Sequence, residues 1–356
     1  MNETKSARYH RTQRRAGVLS LLWGGALLSA MLWVRPHFPL WLYVVVLALL
    51  HEAVAFPVSC YRTLVLERRY ELSAEPFAVW LKDHFKAFAI ATGFAVVAVE
   101  AVYLLIDWRP FDWWVWAAVG ATAVTVLLAR LAPVVLLPLF YTFTPLERPD
   151  LVARLVSLSR RAGVPVLGVF EWGLGAKTRR ANAALVGSGA TRRILLSDTL
   201  LADYTEAEIE VILAHELGHH VHRDIPIGLM LEFVVLLASF FTAASALNAL
   251  VPRLTLDGPS DVAGLPVLIL AVGGVSMAAT PLLHAISRLN ERRADGFALR
   301  VTGQHDAFVS AMRRLGSQNL VEENPSRVAV MLFHTHPPIE ERIAAARADA
   351  RKACAT

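Results

Sequence analysis

Long apolar stretches separated by short polar connections make up most of this 356-residue chain. Six stretches reach or approach the roughly 20 residues that a helix needs to cross a bilayer. They are residues 16–34, 40–57, 87–106, 113–139, 226–251 and 265–283. The fourth is longer than one span requires and contains Pro133 and Pro138, which indicates either a kink or a hidden seventh segment.

A polar segment, residues 141–224, lies between the fourth and fifth apolar stretches. Its pattern predicts a small α/β unit, with a helix over 150–162 and strands over 166–171 and 192–197. A second helix over 205–222 begins with Thr205 and Glu208, which have the spacing of a capping box, and Pro226 limits it. Further helices are predicted over 287–302, 305–319 and 339–351.

Composition supports a membrane location, because 55% hydrophobic residues and a mean hydropathy of +0.46 are too apolar for a soluble enzyme. The net charge of +5 does not indicate a nucleic-acid partner, since the basic residues lie beside apolar stretches and form no stripe with aromatic residues. The two cysteines, Cys60 and Cys354, are too few for a disulfide framework.

The distribution of lysine and arginine predicts the orientation in the membrane. The tail before residue 16 and the loop 58–86 hold five basic residues each, whereas the connections 35–39, 107–112 and 252–264 hold one each. The positive-inside rule then predicts that both termini and the polar segment face the cytoplasm, in the plasma membrane of a bacterium.

The predicted helix 205–222 carries the sequence His215-Glu216-Leu217-Gly218-His219. Residues four apart on a helix are separated by about 40° in projection, so both imidazoles face the same point in space. Glu216 lies beside that face, where it reaches a water held by a metal rather than the metal itself. The spacing therefore predicts a site for one zinc ion, with His215 and His219 as ligands.

A zinc hydrolase needs a third protein ligand and an open position for water. The best candidate is Glu291, just past the last apolar stretch, and Asp295 lies four residues further on. One carboxylate can bind the metal while the other accepts a ring N–H from a ligand histidine. The alternative is a solvated charged helix beside the membrane, but the need for a third ligand favours the metal site.

This ligand set predicts hydrolysis of a peptide bond. Zinc lowers the pKa of its water to about 7, and Glu216 then takes the proton as general base. The oxyanion needs a hydrogen-bond donor, for which His336 and Arg342 are candidates. Either residue could instead belong to a loop or cap a helix.

Three ionisable residues lie within apolar stretches: His51, Glu52 and Glu100. Such residues indicate a functional role by default. They could line a water-filled space or close a hydrogen bond between helices.

These motifs together resemble the type I CaaX prenyl protease family of integral-membrane zinc endopeptidases. Besides the His-Glu-x-x-His motif, the resemblance rests on residues 180–183, 193–200, 287–295 and 336–342, and on Pro57, Tyr61, Glu67 and 83–86 in the first loop. It covers residues 52–342. At Ala181 the family usually has serine.

The resemblance implies zinc on His215, His219 and Glu291, with Glu216 as general base. By the same resemblance, Asp295 contacts a ligand residue rather than the metal. It also implies that Asn182 and Ala183 bind the substrate backbone and that His336 and Arg342 stabilise the transition state. A ring of membrane helices around a hydrated chamber would surround the site. The implied substrate is a polypeptide with a prenylated C-terminus, or another membrane-associated polypeptide.

The expected fold is thus an all-α polytopic membrane protein of about six, or seven, spans with a small α/β, gluzincin-like metalloprotease domain facing the cytoplasm. It divides into residues 1–143 with four spans, 144–225 with the motif helix, 226–285 with two spans, and 286–356 with the third ligand.

Two other functions fit parts of the sequence. A bacterial heat-shock type of membrane quality-control protease shares the zinc motif and the Thr-His-Pro-Pro segment at 335–338, but lacks a loop like 57–86. A transporter or receptor with structural zinc would need a fourth cysteine or histidine ligand.

Overall fold

The computed structural model describes residues 4–34, 38–187 and 189–353, so the basic residue Arg35 and the cysteine Cys354 lie outside the described residues. The helices in the described residues are α1 Lys5–Met31, α2 Leu40–Cys60, α3 Glu67–Arg69, α4 Phe77–Trp108, α5 Trp113–Leu131, α6 Pro149–Arg161, α7 Asp198–Asp203, α8 Glu206–Val221, α9 Asp224–Leu250, α10 Leu265–Thr302, α11 His305–Gln318, α12 Arg327–Phe333 and α13 Ile339–Ala353. The predicted helices over 150–162, 305–319 and 339–351 correspond to α6, α11 and α13.

Five helical stretches of the described chain are long and apolar enough to cross a membrane: Leu40–Arg69, Phe77–Trp108, Trp113–Leu139, Asp224–Leu250 and Val262–Thr302. They correspond to five of the six predicted spans. The first predicted span lies in α1, whose leading part is basic, and α1 is not among the five. A polytopic helical membrane protein is therefore confirmed, while the number of crossings stays a prediction.

The stretch 113–139 is one helical segment whose end is not regular α-helix. Helix α5 ends at Leu131, a π-helical turn follows over Ala132–Leu136, and a 3₁₀ turn covers Leu137–Leu139. Pro133 and Pro138 lie in these turns, because proline removes a hydrogen-bond donor and disrupts a regular helix. The stretch is one candidate span with no separate seventh helix within these residues, and the predicted kink stays a prediction.

The polar segment forms a four-stranded sheet in the order β1-β2-β4-β3. Its strands are β1 Phe143–Pro145, β2 Gly168–Trp172, β3 Ala183–Val186 and β4 Arg193–Ser197. Strands β2 and β4 are parallel and correspond to the two predicted strands, whereas the other two pairings are antiparallel. The small α/β unit is therefore confirmed. Strand β3 pairs with β4 alone and forms an edge of the sheet in the described structure.

Helix α8 lies at the centre of the core of this unit. Its apolar side shares one core cluster with residues of α6 and β4, and the fully buried members of this cluster include Leu151, Leu155, Leu158, Ile194, Leu196, Ile209 and Leu213. Thr205 and Glu208 form the predicted capping box at the start of α8. The predicted helix 205–222 is therefore confirmed.

Two differences at the ends of helices affect the site. Helix α8 ends before Arg223, whose left-handed φ of 58° turns the chain into α9, and Pro226 lies in the first turn of α9. The helices predicted separately over 265–283 and 287–302 are one helix, α10, of 38 residues. Polar residues near 284–287 interrupt the apolar pattern but not the backbone helix.

Candidate metal centre

His215, His219 and Glu291 form a group whose potential ligand atoms all lie within 4.8 Å of one another. The Nε2 atoms of the two histidines are 3.2 Å apart. The Glu291 carboxylate oxygens lie 3.2 Å from Nε2 of His215 and 3.4 Å from Nε2 of His219. Helix α8 therefore supplies two of the three residues, and α10 supplies the third.

A glycine allows α8 and α10 to come this close. A Cβ atom at Gly218 would lie 3.0 Å from the Cα atom of Ala294. Any side chain there would push against the backbone of the opposing helix, which cannot yield as a flexible side chain can. Gly218 is one residue before His219, so this contact fixes the distance between the histidines and Glu291.

The three side chains fit a divalent cation. Two imidazole nitrogens facing each other at 3.2 Å cannot both carry hydrogen without repulsion, and the two carboxylate oxygens of Glu291 face the same nitrogens at 3.2 and 3.4 Å. Two imidazoles and a carboxylate around one point are a donor set that zinc accepts in catalytic sites. In the described residues the group has no cysteine and no fourth member, so it lacks the closed ligand set of a structural zinc site.

Each ligand-type histidine is held by a second carboxylate. Nδ1 of His215 lies 2.9 Å from Oδ1 of Asp295, and Nδ1 of His219 lies 2.8 Å from Oδ2 of Asp224. Such bonds fix the ring orientation and leave Nε2 free to bind a cation. The position of Asp295 matches the prediction, whereas Asp224 was missed, because only the left-handed turn at Arg223 brings it back to His219.

Arg342 and His336 reach the same place from the C-terminal segment. The Arg342 guanidinium donates two hydrogen bonds to Asp295, at 2.8 and 2.5 Å. Nε2 of His336 lies 3.2 Å from Oε1 of Glu291, and its side chain is 60% exposed. An exposed donor beside the ligand group is available to a bound substrate, and a buried guanidinium adds positive charge.

Burial and neighbouring charges influence protonation around the histidines. Burial raises the pKa of the Glu216 carboxyl, which the nearby histidines and Arg342 only partly oppose. For His215, burial lowers the pKa, but hydrogen bonds with Asp295 and Glu291 outweigh it and raise the pKa to about 9. A carboxylate with a raised pKa binds a proton more readily, as a general base requires.

Strand β3, which follows Asn182, lies beside the motif helix. Asn182 is exposed. Its backbone N–H donates to the Ser197 hydroxyl at 2.9 Å, and its side chain takes no part in that hydrogen bond. Ala183 begins the edge strand β3. A cavity of about 640 Å³ lies between Leu185 and Val186 of β3 and His219, so an extended chain along this part of the edge would pass the ligand group, whereas Asn182 and Ala183 are not in its wall.

Asn319 fixes the residue before Asn182. The Ala181 N–H donates to Oδ1 of Asn319 at 3.0 Å, and Nδ2 of Asn319 donates to the Ala181 carbonyl at 3.2 Å. Sequence reasoning missed Asn319. Its isolated position at the end of α11 gave no signal for this contact.

The remaining candidates lie apart from the ligand group. His220 and His222, which lie beside the motif, are not members of it. Glu52 pairs with His84 at 2.6 Å between α2 and α4, which corresponds to a hydrogen bond between helices. For His51 and Glu100, which are partly exposed, the two alternatives stay predictions.

Membrane-spanning helices joined to a catalytic-type metal group and a neighbouring glutamate define a membrane-embedded metallopeptidase. Residues 145–350 match the family model described as Peptidase family M48, and residues 16–142 match one described as CAAX prenyl protease N-terminal, five membrane helices. The chain belongs to peptidase family M48.

Individual relatives agree with this assignment. An uncharacterized metalloprotease, YhfN, of Bacillus subtilis is 32% identical over 85% of this chain and 71% of its own length. CAAX prenyl protease 1 of Saccharomyces cerevisiae is 26% identical over 90% of this chain and 76% of its own length. The crystal structure of S. mikatae Ste24p has the same fold, with a TM-score of 0.78, 22% identity, and coverage of 96% of this chain and 87% of that one.

The comparisons confirm the resemblance to the CaaX prenyl protease family. The protein is a metal-dependent peptide hydrolase of the CAAX prenyl protease type, and it is a multi-pass integral membrane protein.

Proposed function

We propose that this protein is a zinc endopeptidase that cleaves membrane-associated polypeptides, including chains with a prenylated C-terminus, at the cytoplasmic face of a bacterial plasma membrane. One observation carries the proposal: the ligand group lies between α8 and the extension of a membrane span, α10. A site built this way stays beside the bilayer. Its substrates must therefore be held at the membrane.

The ligand group would bind zinc through His215, His219 and Glu291. When bound, zinc acts as a Lewis acid and makes water a nucleophile near neutral pH. Glu216 takes the proton from the attacking water and delivers it to the leaving amine, because it lies next to His215 on the same helix. Asp295 and Asp224 keep both imidazoles oriented through their Nδ1 atoms.

The substrate backbone would bind along the edge strand β3. An edge strand offers unpaired N–H and C=O groups, so a peptide can add to it as a further strand. Asn182 and Ala183 stand at the start of that edge, where the exposed Asn182 amide can bond to the peptide. His336 and Arg342 would donate to the carbonyl oxygen as negative charge develops on it.

The cytoplasmic orientation rests on the basic residues of the chain. The N-terminal tail and the loop 58–86 are rich in lysine and arginine, and α1 lies against residues near 320 through the ion pair of Arg14 with Glu322 at 2.6 Å. The positive-inside rule then assigns the ligand group to the same side as this tail.

A comparison of three substrates tests the proposal. The purified protein would receive a farnesylated C-a-a-X peptide, its unprenylated twin and an unfolded membrane protein, each with and without a zinc chelator. We expect chelator-sensitive cleavage with a preference for the farnesylated peptide. Preference for the unfolded protein would instead assign the heat-shock type of quality control, and chelator-insensitive cleavage would contradict the zinc mechanism.

A further inference from the structure

A second cavity borders the candidate metal centre on the side of α1. Its volume is about 700 Å³, and His336 and Arg342 form part of its wall. The rest of the wall is largely apolar and includes Val18 and Leu21 of α1 and Met312 of α11. A chain bound at the metal centre can therefore extend into this cavity, and its apolar walls favour apolar side chains.

Most charges around this cavity are neutralised by a partner. Arg14 forms a bidentate pair with Glu322, at 2.6 and 3.2 Å, and Arg342 is paired with Asp295. Arg62 differs from both. Among the residues that the structure describes, the Arg62 guanidinium bonds only to the neutral amide oxygen of Gln13, at 2.6 Å.

The backbone around Arg62 is also unusual. Arg62 lies in a π-helical turn, Tyr61–Leu66, that follows α2 directly. Such turns are rare and occur frequently at functional sites, because the wider turn changes where its side chains point. Here the side chain of Arg62 lies on the cavity wall. The cavity therefore combines apolar walls with one arginine that has no acidic partner in the described chain.

We propose that this cavity binds the C-terminal tail of the polypeptide substrate and that Arg62 binds the terminal carboxylate of that tail. The proposal rests on the proposed function and names the feature that its substrates share. A planar guanidinium binds a carboxylate through two parallel hydrogen bonds, which makes arginine a specific partner for this group. Arg62 would then determine specificity, while the chemistry stays at the metal.

The test compares two peptides on the full-length protein in detergent with zinc. They have the same sequence and lipid, and one ends in a free carboxylate while the other ends in an amide. We expect amidation to lower kcat/KM by about tenfold to a hundredfold, the range for loss of a charge-assisted hydrogen bond. Arg62→Gln should lower kcat/KM for the free acid by a similar factor and leave the amide nearly unchanged, and Arg62→Lys should restore part of the difference.

Two further variants distinguish the effect of the Arg62 charge from the effect of its contact with α1. Gln13→Ala removes the same contact between α1 and the π-helical turn but keeps the Arg62 charge, so it should retain the preference for the free acid. Arg69→Gln removes an exposed arginine a short distance away and should leave both rates unchanged. Zinc content and thermal unfolding of each variant establish that it is folded.

Equal cleavage of acid and amide by the unaltered protein would overturn this inference while leaving the proposed function intact. An equal loss for both peptides in Arg62→Gln would also overturn it. An effect of Arg62→Gln that appears only in vesicles containing anionic lipid would assign Arg62 to a lipid phosphate instead. Absence of any chelator-sensitive cleavage would overturn the proposed function, and this inference with it.

Discussion

The two helices that meet at the ligand group, α8 and α10, are specified in different ways. Helix α8 has 16 residues, a capping box at its start and a left-handed turn after its end, so nearby residues define both of its limits. Helix α10 has 38 residues, is buried near its two ends, and is partly exposed between them. One helix is positioned by a compact core, and the other arrives from the membrane.

The two helices contribute different groups to the site. Helix α8 supplies both imidazoles and the neighbouring Glu216, which are correctly spaced within one helix. Helix α10 supplies Glu291 and Asp295, which reach the histidines only because the helices cross at Gly218 and Ala294. Changes in α8 should therefore affect chemistry, whereas changes in α10 and at the crossing should affect assembly of the site.

The largest effect is expected from Glu216→Gln in α8. This change removes the base without touching a ligand, so cleavage should fall by about a thousandfold or more. The zinc content, measured by atomic emission, should match that of the unaltered protein. Persistent cleavage would refute the role of Glu216.

Glu291→Ala tests the contribution of α10. Loss of one of three ligands should weaken metal binding, and activity should fall in proportion to the metal that is lost. The same metal analysis, made on protein dialysed against buffered zinc, distinguishes this result from that of Glu216→Gln. A full zinc content would mean that the third ligand lies elsewhere.

The carboxylates behind the histidines should have smaller and unequal effects. Asp224→Ala should weaken zinc binding about tenfold to a hundredfold, as is usual when a partner of a ligand histidine is removed. Asp295→Ala should have the larger effect, since it also leaves the buried Arg342 without its hydrogen-bond partner. Competition with a chelator measures both affinities. Equal affinities in the two variants would show that Arg342 is well accommodated without Asp295.

The smallest effect is expected at the crossing of the two helices. Gly218→Ala places a methyl group against the Ala294 backbone and should lower the free energy of unfolding by about 1–3 kcal/mol. Gly228→Ala in α9 is the matched control, because no atom lies within 4 Å of its added Cβ. Thermal unfolding in detergent compares them. Equal melting temperatures would show that the crossing can relax.

The same contrast explains what the sequence could predict. The limits of α8, its capping box and the positions of His215, His219 and Glu216 follow from local spacing, and all are predictable. The membrane stretches follow from hydropathy, and five of the six predicted ones recur in the structure, whereas the stretch 16–34 belongs to α1, whose leading part is basic. Strands β1 and β3 were missed because they are short and lack alternation of apolar and polar residues.

The rest depends on tertiary contacts. Asp224 reaches His219 only through the unusual φ of Arg223, a conformation that non-glycine residues seldom adopt. The continuity of α10 could not be predicted from hydropathy. The hydropathy of the sequence changes where a helix leaves the lipid, whereas its pattern of backbone hydrogen bonds continues. Arg62 is not part of a recognisable sequence motif. Its proposed role depends on its neutral hydrogen-bond partner, Gln13, which only the structure shows.

The uninterrupted length of α10 also bears on the distance between the membrane and Glu291. From Leu265 to Glu291 the helix rises about 39 Å, whereas the hydrocarbon layer of a bilayer is about 30 Å thick. A helix that begins at one face of that layer therefore carries its carboxylate roughly 10 Å beyond the other face. A peptide bond at that height is only about three extended residues away from the lipid. If the proposed function holds, the length of one helix would set how far from its membrane anchor a substrate can be cut.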